Sequence, residues 1–185
     1  KIIARLRNQQ YSRRDSIIRP EKFGVDLIIH PEKVVCEEIV RLVCHPYAKH
    51  IVEFEGGRLL MVGLRITEDC KIVGSSVRSL CESCTDFKFG VVSVTKNGKT
   101  FIPWGDFIFQ EKSTVNFLVK TKRLENLLEL IGIPAVKTKR IMILGGSKIG
   151  RSLAEELQDK MPVRMVENRR EKAGVIANQL QDTMV

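Results

Sequence analysis

The chain has 185 residues, of which 43% are hydrophobic and 29% are charged, and its formal net charge is +9. This balance is typical of a globular protein and excludes an intrinsically disordered one, and the length predicts one ordinary domain or two small ones. No apolar run approaches the roughly 18 residues of a membrane-spanning helix, and no signal peptide is visible. The first residue is Lys1 rather than Met, and an apolar run closes at Val185, so we expect a piece of a longer chain.

The positive charge is spread thinly along the chain, in short runs such as residues 137–140 that flank apolar segments. Such runs are typical of a solvated surface. A nucleic-acid-binding stripe would combine basic residues with aromatic ones on which bases stack. Trp104 is the only tryptophan and no such interleaving occurs, so we expect no nucleic-acid partner. A steep fall of binding with salt would revive that hypothesis.

Five cysteines are too few, and odd in number, for a disulfide scaffold, which predicts reduced thiols in a cytosolic protein. Cys81 and Cys84 form a single CxxC pair without a second pair at zinc-ligand spacing, and they do not open a helix after a strand as redox pairs do. We therefore expect structural or incidental thiols, no metal site and no catalytic residue.

The first quarter of the chain predicts two short strands and one helix. Strand-like runs cover residues 1–7 and 25–30, and a loop or frayed helix covers residues 8–20. A helix begins at Pro31, a favourable first position, and ends before Pro46. Two interpretations of this helix remain open: its apolar face packs against a partner helix, or it is buried in its own domain. Its apolar positions at helical spacing are Val34, Val35, Ile39, Leu42 and Val43.

The middle of the chain alternates strand-like runs with turn signals, which predicts a small α+β domain. Gly56-Gly57 separates runs at residues 51–55 and 58–66, and Asn97-Gly98 separates runs at 87–95 and 100–103. The remaining predicted elements are a short helix capped by residues 74–76 and beginning near Val77, a turn at 105–106 leading into residues 107–110, a strand at 115–119, and a helix over 124–131 stopped by Gly132 and Pro134.

The last part predicts a β-α-β-α-(β) unit with a parallel sheet and right-handed crossovers. A continuous apolar strand at residues 140–144 leads directly into a glycine-rich turn and a helix. A second strand at 162–166, a second helix and a possible third strand at 183–185 follow.

This unit carries the one motif with ligand chemistry. A tight turn after a strand needs a residue free of Cβ constraints, which Gly145 supplies, and Gly150 allows close helix–strand packing. The N-terminus of the following helix favours a pyrophosphate. Glu167 ends the second strand, where a carboxylate can accept hydrogen bonds from both adenosine ribose hydroxyls. Such a carboxylate would repel a 2′-phosphate, so the pattern favours NAD over NADP.

Ser147 departs from the G-x-G-x-x-G pattern, which has glycine at that position. The serine hydroxyl could donate a hydrogen bond to a phosphate or could crowd it. Two interpretations therefore remain open: a site that binds nucleotide, and a Rossmann-like domain that has kept its shape and lost or weakened its ligand.

The order of these parts resembles the family of Trk-type potassium-uptake regulatory subunits, TrkA, in which two units follow each other, each an RCK_N domain of Rossmann type followed by a smaller RCK_C domain. The motifs that carry the resemblance are residues 53–58, 73–74, 102–106 and 140–146. It implies a mixed α/β and α+β fold: the end of a first RCK_N-like domain with a crossover strand and helix over residues 1–48, an RCK_C-like α+β domain over 49–133, a linker over 134–138, and the start of a second, truncated RCK_N-like Rossmann domain over 139–185.

The resemblance also implies a function. Family members are cytoplasmic, lie at the inner face of the membrane beneath an integral-membrane potassium transporter, assemble as homo-oligomers, and bind NAD(H) and in several cases ATP or ADP to change transport. By position, the phosphates would be held by Gly145, Gly146, Ser147, Lys148 and Ile149, and the ribose by Glu167, with Asn168 and Arg169 nearby.

The resemblance therefore predicts a regulatory module without catalysis. The alternative is a fragment of an NAD-dependent oxidoreductase, which would need a proton donor facing the nicotinamide. No such group is identifiable in the domain that precedes the glycine turn.

Overall fold

The computed structural model describes residues 1–6 and 24–185, and the predicted loop over residues 8–20 lies outside them. Two compact units are formed: a parallel unit, Lys1–Arg41 with Thr138–Val185, and an antiparallel unit, Leu42–Lys137. In chain order the elements are β1 (Ile3–Arg5), β2 (Leu27–Ile29), α1 (Pro31–Cys44), β3 (Ala48–Phe54), β4 (Leu59–Arg65), α2 (Val77–Ser83), β5 (Phe89–Lys96), β6 (Lys99–Phe101), β7 (Thr114–Lys120), α3 (Leu124–Ile131), β8 (Ile141–Leu144), α4 (Lys148–Leu157), β9 (Val163–Val166), α5 (Arg170–Ala177) and β10 (Thr183–Met184).

The mixed α/β fold with both sheet types agrees with the sequence prediction. The antiparallel unit contains a five-stranded sheet of order β3-β4-β7-β5-β6. The parallel unit contains a three-stranded sheet of order β10-β9-β8 and a separate parallel pair, β1-β2. Among the described residues, no helix is both long and apolar enough to cross a membrane.

Both predicted hairpin turns are confirmed. Between β3 and β4 the backbone φ angles of Glu55, Gly56 and Gly57 are all positive, at 53°, 63° and 84°. Between β5 and β6, Asn97 and Gly98 have φ angles of 51° and 75°, as a two-residue type I′ turn requires. Glycine and asparagine adopt such angles at little cost, and Glu55 is the one of these five residues that lacks this tolerance. The turns fix the register of both hairpins.

The core of the antiparallel unit lies between one face of its sheet and helices α2 and α3. Phe117 of β7 is fully buried and its ring lies 6.2 Å from that of Phe89 and 6.3 Å from that of Phe109. Phe109 is buried although residues 107–110 add no strand to the sheet, where only Ile108 bridges to Ser76. Helix α3 ends at Gly132, whose φ of 89° forms the predicted C-cap.

The other face of this sheet carries a polar row that crosses four strands. His50, Gly63, Asn116 and Ser93 lie directly opposite one another in register. The imidazole Nε2 of His50 lies 2.6 Å from Asn116 Oδ1, and Asn116 Nδ2 donates to Ser93 Oγ at 2.8 Å. A Cβ at Gly63 would lie 2.4 Å from the His50 ring, so the glycine gives the imidazole room to reach across β4.

In the parallel unit, α4 packs against β8 and β9 and buries Leu153, Ala154 and Leu157, while α5 buries Ile176. Helix α1 contributes Cys36 and Val40, which are one turn apart and buried, and the Cys36 thiol donates to the carbonyl of Ile149 at 3.6 Å. Burial, and then the nearby carboxylates of Glu156 and Glu37, raise the pKa of the Cys36 thiol. The predicted apolar face of α1 is therefore rotated, because Val34 and Val35 are 58% and 42% exposed.

Candidate functional site

The candidate site is the glycine turn between β8 and α4. Gly145 has a φ of 102°, a conformation that L side chains rarely adopt, although a Cβ there would meet nothing within 4 Å. Its N–H donates to the carbonyl of Val166 at 2.8 Å, which ties the turn to the end of β9. Glycine is thus required at this position for its backbone angle and not for space.

Gly146 is buried and is required for the opposite reason. A Cβ there would lie 2.3 Å from Ile176 Cδ1 and 3.0 Å from Glu167 Oε2. Its N–H donates to Glu167 Oε2 at 3.0 Å. The missing side chain therefore lets α5 and the carboxylate approach the turn directly.

Ser147 is the N-cap of α4. Its hydroxyl accepts a hydrogen bond from the N–H of Gly150 at 3.2 Å, which pairs one of the first N–H groups of the helix. A Cβ at Gly150 would lie 2.3 Å from the carbonyl oxygen of Gly145, so this glycine allows the first turn of α4 to pack against the strand end. The sequence suggested two roles for the serine hydroxyl, donating a hydrogen bond to a phosphate or crowding it. In the structure the hydroxyl has a third role, which is to cap helix α4.

Glu167 lies directly after β9, and its carboxylate is the most enclosed charge of the site. Only 5% of its side chain is exposed. Oε2 accepts from Gly146 N–H and from Lys172 Nζ, the latter at 2.7 Å. Oε1 accepts from the backbone N–H of Arg169 at 3.2 Å, and the guanidinium Nε of Arg169 lies 3.6 Å away.

These donors lower the pKa of Glu167 from 4.5 to about 2. The hydrogen bond from Lys172 is the largest cause, followed by that from Arg169 N–H; burial acts in the opposite direction, and the hydrogen bond from Gly146 N–H adds to the lowering. The carboxylate is therefore ionised throughout the neutral range and can only accept hydrogen bonds there.

The structure brings some of the predicted site residues together and leaves others at the surface. Gly146, Glu167 and Arg169 are joined by hydrogen bonds, with Gly145 and Ser147 on either side of Gly146. Lys148 and Asn168 are exposed, and Ile149 is half-buried.

Lys172 and Ile176 contact the site but were not among the residues predicted from sequence. The first turn of a helix that follows β9 returns toward the strand end, so a lysine five residues after Glu167 was a usable signal. The capping role of Ser147 also had a signal, namely a serine immediately before a helical pattern. No signal in the sequence predicts the contact of Ile176 with Gly146, because this contact depends on how α5 crosses the turn.

The cysteines lie elsewhere and all five are free thiols. Burial, then the neighbouring Cys84 and Glu82, raise the pKa of the exposed Cys81. Within residues 1–6 and 24–185, no group of three or more His, Cys, Asp or Glu side chains could hold a metal ion.

Several curated proteins named TrkA are similar to this chain. The Trk system potassium uptake protein TrkA of Haemophilus influenzae is 27% identical over 184 residues, covering 99% of this chain and 40% of the relative. TrkA of Halomonas elongata is 28% identical, with the same coverages. The TrkA homologue of Archaeoglobus fulgidus is 28% identical over 185 residues, covering 100% of this chain and 41% of its own. The chain thus spans about two-fifths of the length of these relatives. No family model matches it.

Solved structures with the same fold include two of GsuK. The crystal structure of the GsuK RCK domain matches with a TM-score of 0.52 and 18% identity, covering 91% of this chain and 36% of that one. A structure of the GsuK channel matches with a TM-score of 0.53 and 16% identity, covering 91% and 30%. At these identities the likeness concerns the fold alone. Together the two comparisons show that the chain is similar to TrkA potassium uptake proteins over almost its whole length and shares the fold of RCK domains.

Proposed function

We propose that the turn between β8 and α4 binds an adenine nucleotide, NAD(H) in the first place, with ATP or ADP as further ligands. The observation that carries the proposal is the position of Glu167, whose carboxylate lies 3.0 Å from the N–H of Gly146 at the end of the adjacent parallel strand. A carboxylate beside a glycine turn and a helix N-terminus can accept from a ribose diol while the turn faces the phosphates.

The residues present fit such a ligand. Gly146 and Gly150 leave the strand end and the helix start without side chains, and Ser147 turns its hydroxyl along the helix. Bound nucleotide would supply a polyanion and a cis-diol; this chain supplies backbone donors and one acceptor. In the proposal the phosphates contact Gly145, Gly146, Ser147, Lys148 and Ile149, and the ribose contacts Glu167, with Asn168 and Arg169 beside it.

For the domain order we propose the TrkA arrangement. Residues 139–185 would begin a second RCK_N-like domain, 134–138 a linker, 49–133 an RCK_C-like domain, and 1–48 the end of a first RCK_N-like domain with its crossover strand and helix. The change from an antiparallel to a parallel sheet along the chain supports this division.

The whole protein would then be a cytoplasmic regulatory subunit of a potassium uptake system, peripheral to the inner face of the membrane. Its partners would be an integral-membrane potassium transporter subunit and further copies of itself, with no nucleic acid and no insertion into the bilayer. It would not be an enzyme: nucleotide would act by its differential affinity for two conformations. A coupling free energy of about 1–3 kcal/mol would bias the gate several-fold or more.

The first test is calorimetric titration of the whole protein with NADH, NAD, ATP and ADP at fixed salt. We expect micromolar binding of at least one ligand at this site, lost in Glu167→Ala and kept in Glu171→Ala, which removes an exposed carboxylate from the same segment. Equal binding by Glu167→Ala and the wild-type protein would contradict the proposed site.

A further inference from the structure

The carboxylate that the proposed function assigns to the ribose is already engaged. Oε2 of Glu167 accepts from Gly146 N–H at 3.0 Å and from Lys172 Nζ at 2.7 Å. Oε1 accepts from Arg169 N–H at 3.2 Å. A carboxylate oxygen accommodates about two donors, so Oε2 is filled. A ribose that presents two hydroxyl groups to this carboxylate must displace one of its present donors.

The donor that can leave is Lys172. Gly146 N–H and Arg169 N–H belong to backbone that the glycine turn and the start of α5 hold in place. The ammonium of Lys172 ends a flexible four-carbon stem, and 29% of its side chain is exposed, so it can exchange Glu167 for water. The Glu167 side chain, only 5% exposed, has no such freedom while the bridge persists.

We propose that Lys172 is a positioning residue that holds Glu167 turned toward the glycine turn and competes with the ribose hydroxyls for its carboxylate. The inference rests on the proposed function and extends it, because it assigns control of nucleoside affinity to a residue that makes no contact with the ligand. Removing the ammonium leaves an ionised, poorly hydrated acceptor that gains from ribose hydroxyls, so affinity rises rather than falls.

Adenosine is the direct probe, because it carries the ribose diol without phosphates that would respond to any lost positive charge. We expect Lys172→Met to bind adenosine about two- to fivefold more tightly than the wild-type protein, the range for loss of a modest ion pair. Lys172→Arg restores a donor and should return the affinity to near the wild-type value. Arg170→Met is the matched control, since it removes an exposed positive charge from the same helix and should change little.

A second ligand separates competition from a general change in the site. The gain in Lys172→Met should be absent with 2′,3′-dideoxyadenosine, which lacks the competing hydroxyls. Titrations use the whole protein, with the Glu167→Ala variant as the blank, so that heat from any other nucleotide site is subtracted. Thermal unfolding of each variant establishes that the folded state is being compared.

The outcomes separate this inference from the proposed function. Wild-type binding of adenosine with equal or weaker binding by Lys172→Met overturns the inference and leaves the nucleotide site standing. An equal gain for the dideoxy ligand also overturns it. If Lys172→Met binds adenosine and the wild-type protein does not, the inference is supported in its strongest form. If no variant binds either adenosine or NADH above the blank, the proposed function fails and the inference falls with it.

Discussion

In each of the two units a glycine makes room for a neighbouring side chain, but the resulting contact has a different role in each unit. In the antiparallel unit, Gly63 lies inside a strand and makes room for the His50 ring, which then joins the polar row across the sheet. In the parallel unit, Gly146 lies in a turn between elements and makes room for Ile176 and the Glu167 carboxylate. The first contact knits one sheet together, whereas the second brings a charge to a helix start. The space left by the missing side chain therefore stabilises the fold of the antiparallel unit at Gly63 and forms the candidate ligand site of the parallel unit at Gly146.

The units also differ in how they bury their residues. The antiparallel unit encloses a continuous cluster behind one sheet, including Phe117, Leu127 and Leu128. The parallel unit leaves large apolar side chains of its strands exposed, with Leu144 at 79% and Met142 at 56%. We therefore expect the largest losses of stability from substitutions in the core of the antiparallel unit, and effects on ligand binding from substitutions at the glycine turn and Glu167 of the parallel unit.

The largest effect should come from the core of the antiparallel unit. Phe117→Ala should lower the free energy of unfolding by about 3–5 kcal/mol, because it leaves a cavity between the sheet and its helices. Phe101→Ala, at a 40% exposed position of β6, should cost about 1 kcal/mol or less. Chemical denaturation measures both, and similar losses for the two variants would contradict the buried core assigned to the antiparallel unit.

A helix-start glycine should give the next largest effect. Gly150→Ala places a Cβ 2.3 Å from the carbonyl oxygen of Gly145, a backbone atom that cannot turn aside, and should cost about 2–3 kcal/mol. Gly174→Ala is the control, since a Cβ there meets nothing within 4 Å and an alanine inside α5 should stabilise by about 0.5–1 kcal/mol. Opposite signs in thermal unfolding are the expected result. A tolerated Gly150→Ala would mean that α4 does not start where the structure puts it.

The strand glycine should respond more weakly. Gly63→Ala pushes on the far end of a side chain, so the His50 ring can turn away, and the cost should be about 1–2 kcal/mol. In the same sheet Gly90→Ala meets nothing within 4 Å and should be close to neutral. The NMR signals of the His50 ring should shift in Gly63→Ala and not in Gly90→Ala. If the His50 signals do not shift in Gly63→Ala, the absence of a side chain at Gly63 is not what makes room for the His50 ring.

The smallest effect is a pH dependence of stability. The folded-state pKa of Glu167, about 2, lies below its ordinary 4.5, so the ionised carboxylate contributes to folding above pH 4.5 and this contribution is lost as pH falls toward 2. The difference in unfolding free energy between the wild-type protein and Glu167→Gln should therefore narrow as the pH is lowered through that window. The difference in unfolding free energy between the wild-type protein and Gly174→Ala provides the baseline. It should not change with pH, because this substitution alters no titrating group. A gap that stays constant or widens toward acid pH would show that the Lys172 and Arg169 contacts are not made.

Sequence alone predicted the features that depend on neighbours in the chain. The turns at Gly56-Gly57 and Asn97-Gly98 follow from backbone angles that few residues tolerate. The parallel arrangement follows from the alternation of short apolar strands with helices, because each such strand must cross over to pair with the next.

Features that depend on rotamers and crossing angles could not be predicted. The buried stripe of α1 runs through Cys36 and Val40 rather than Val34, because the helix face is chosen by what packs against it. The spacing of Lys172 from Glu167 was a usable signal that the two are near each other, but the hydrogen bond between them depends on the direction of two flexible side chains. The residue types of the candidate site could be predicted from the sequence, whereas the hydrogen bonds that the Glu167 carboxylate makes in the structure could not.

The most direct test of the account compares ATP with 2′,3′-dideoxy-ATP in the wild-type protein and in Glu167→Ala. If the Glu167 carboxylate accepts from the ribose, the wild-type protein should prefer ATP by about tenfold or more, as expected for hydrogen bonds to a charged group. Glu167→Ala should lose binding at this site, and any binding that remains should show no preference between the two ligands. The same preference for ATP in both proteins would contradict the account, because the ribose hydroxyls would then be recognised somewhere other than the end of β9.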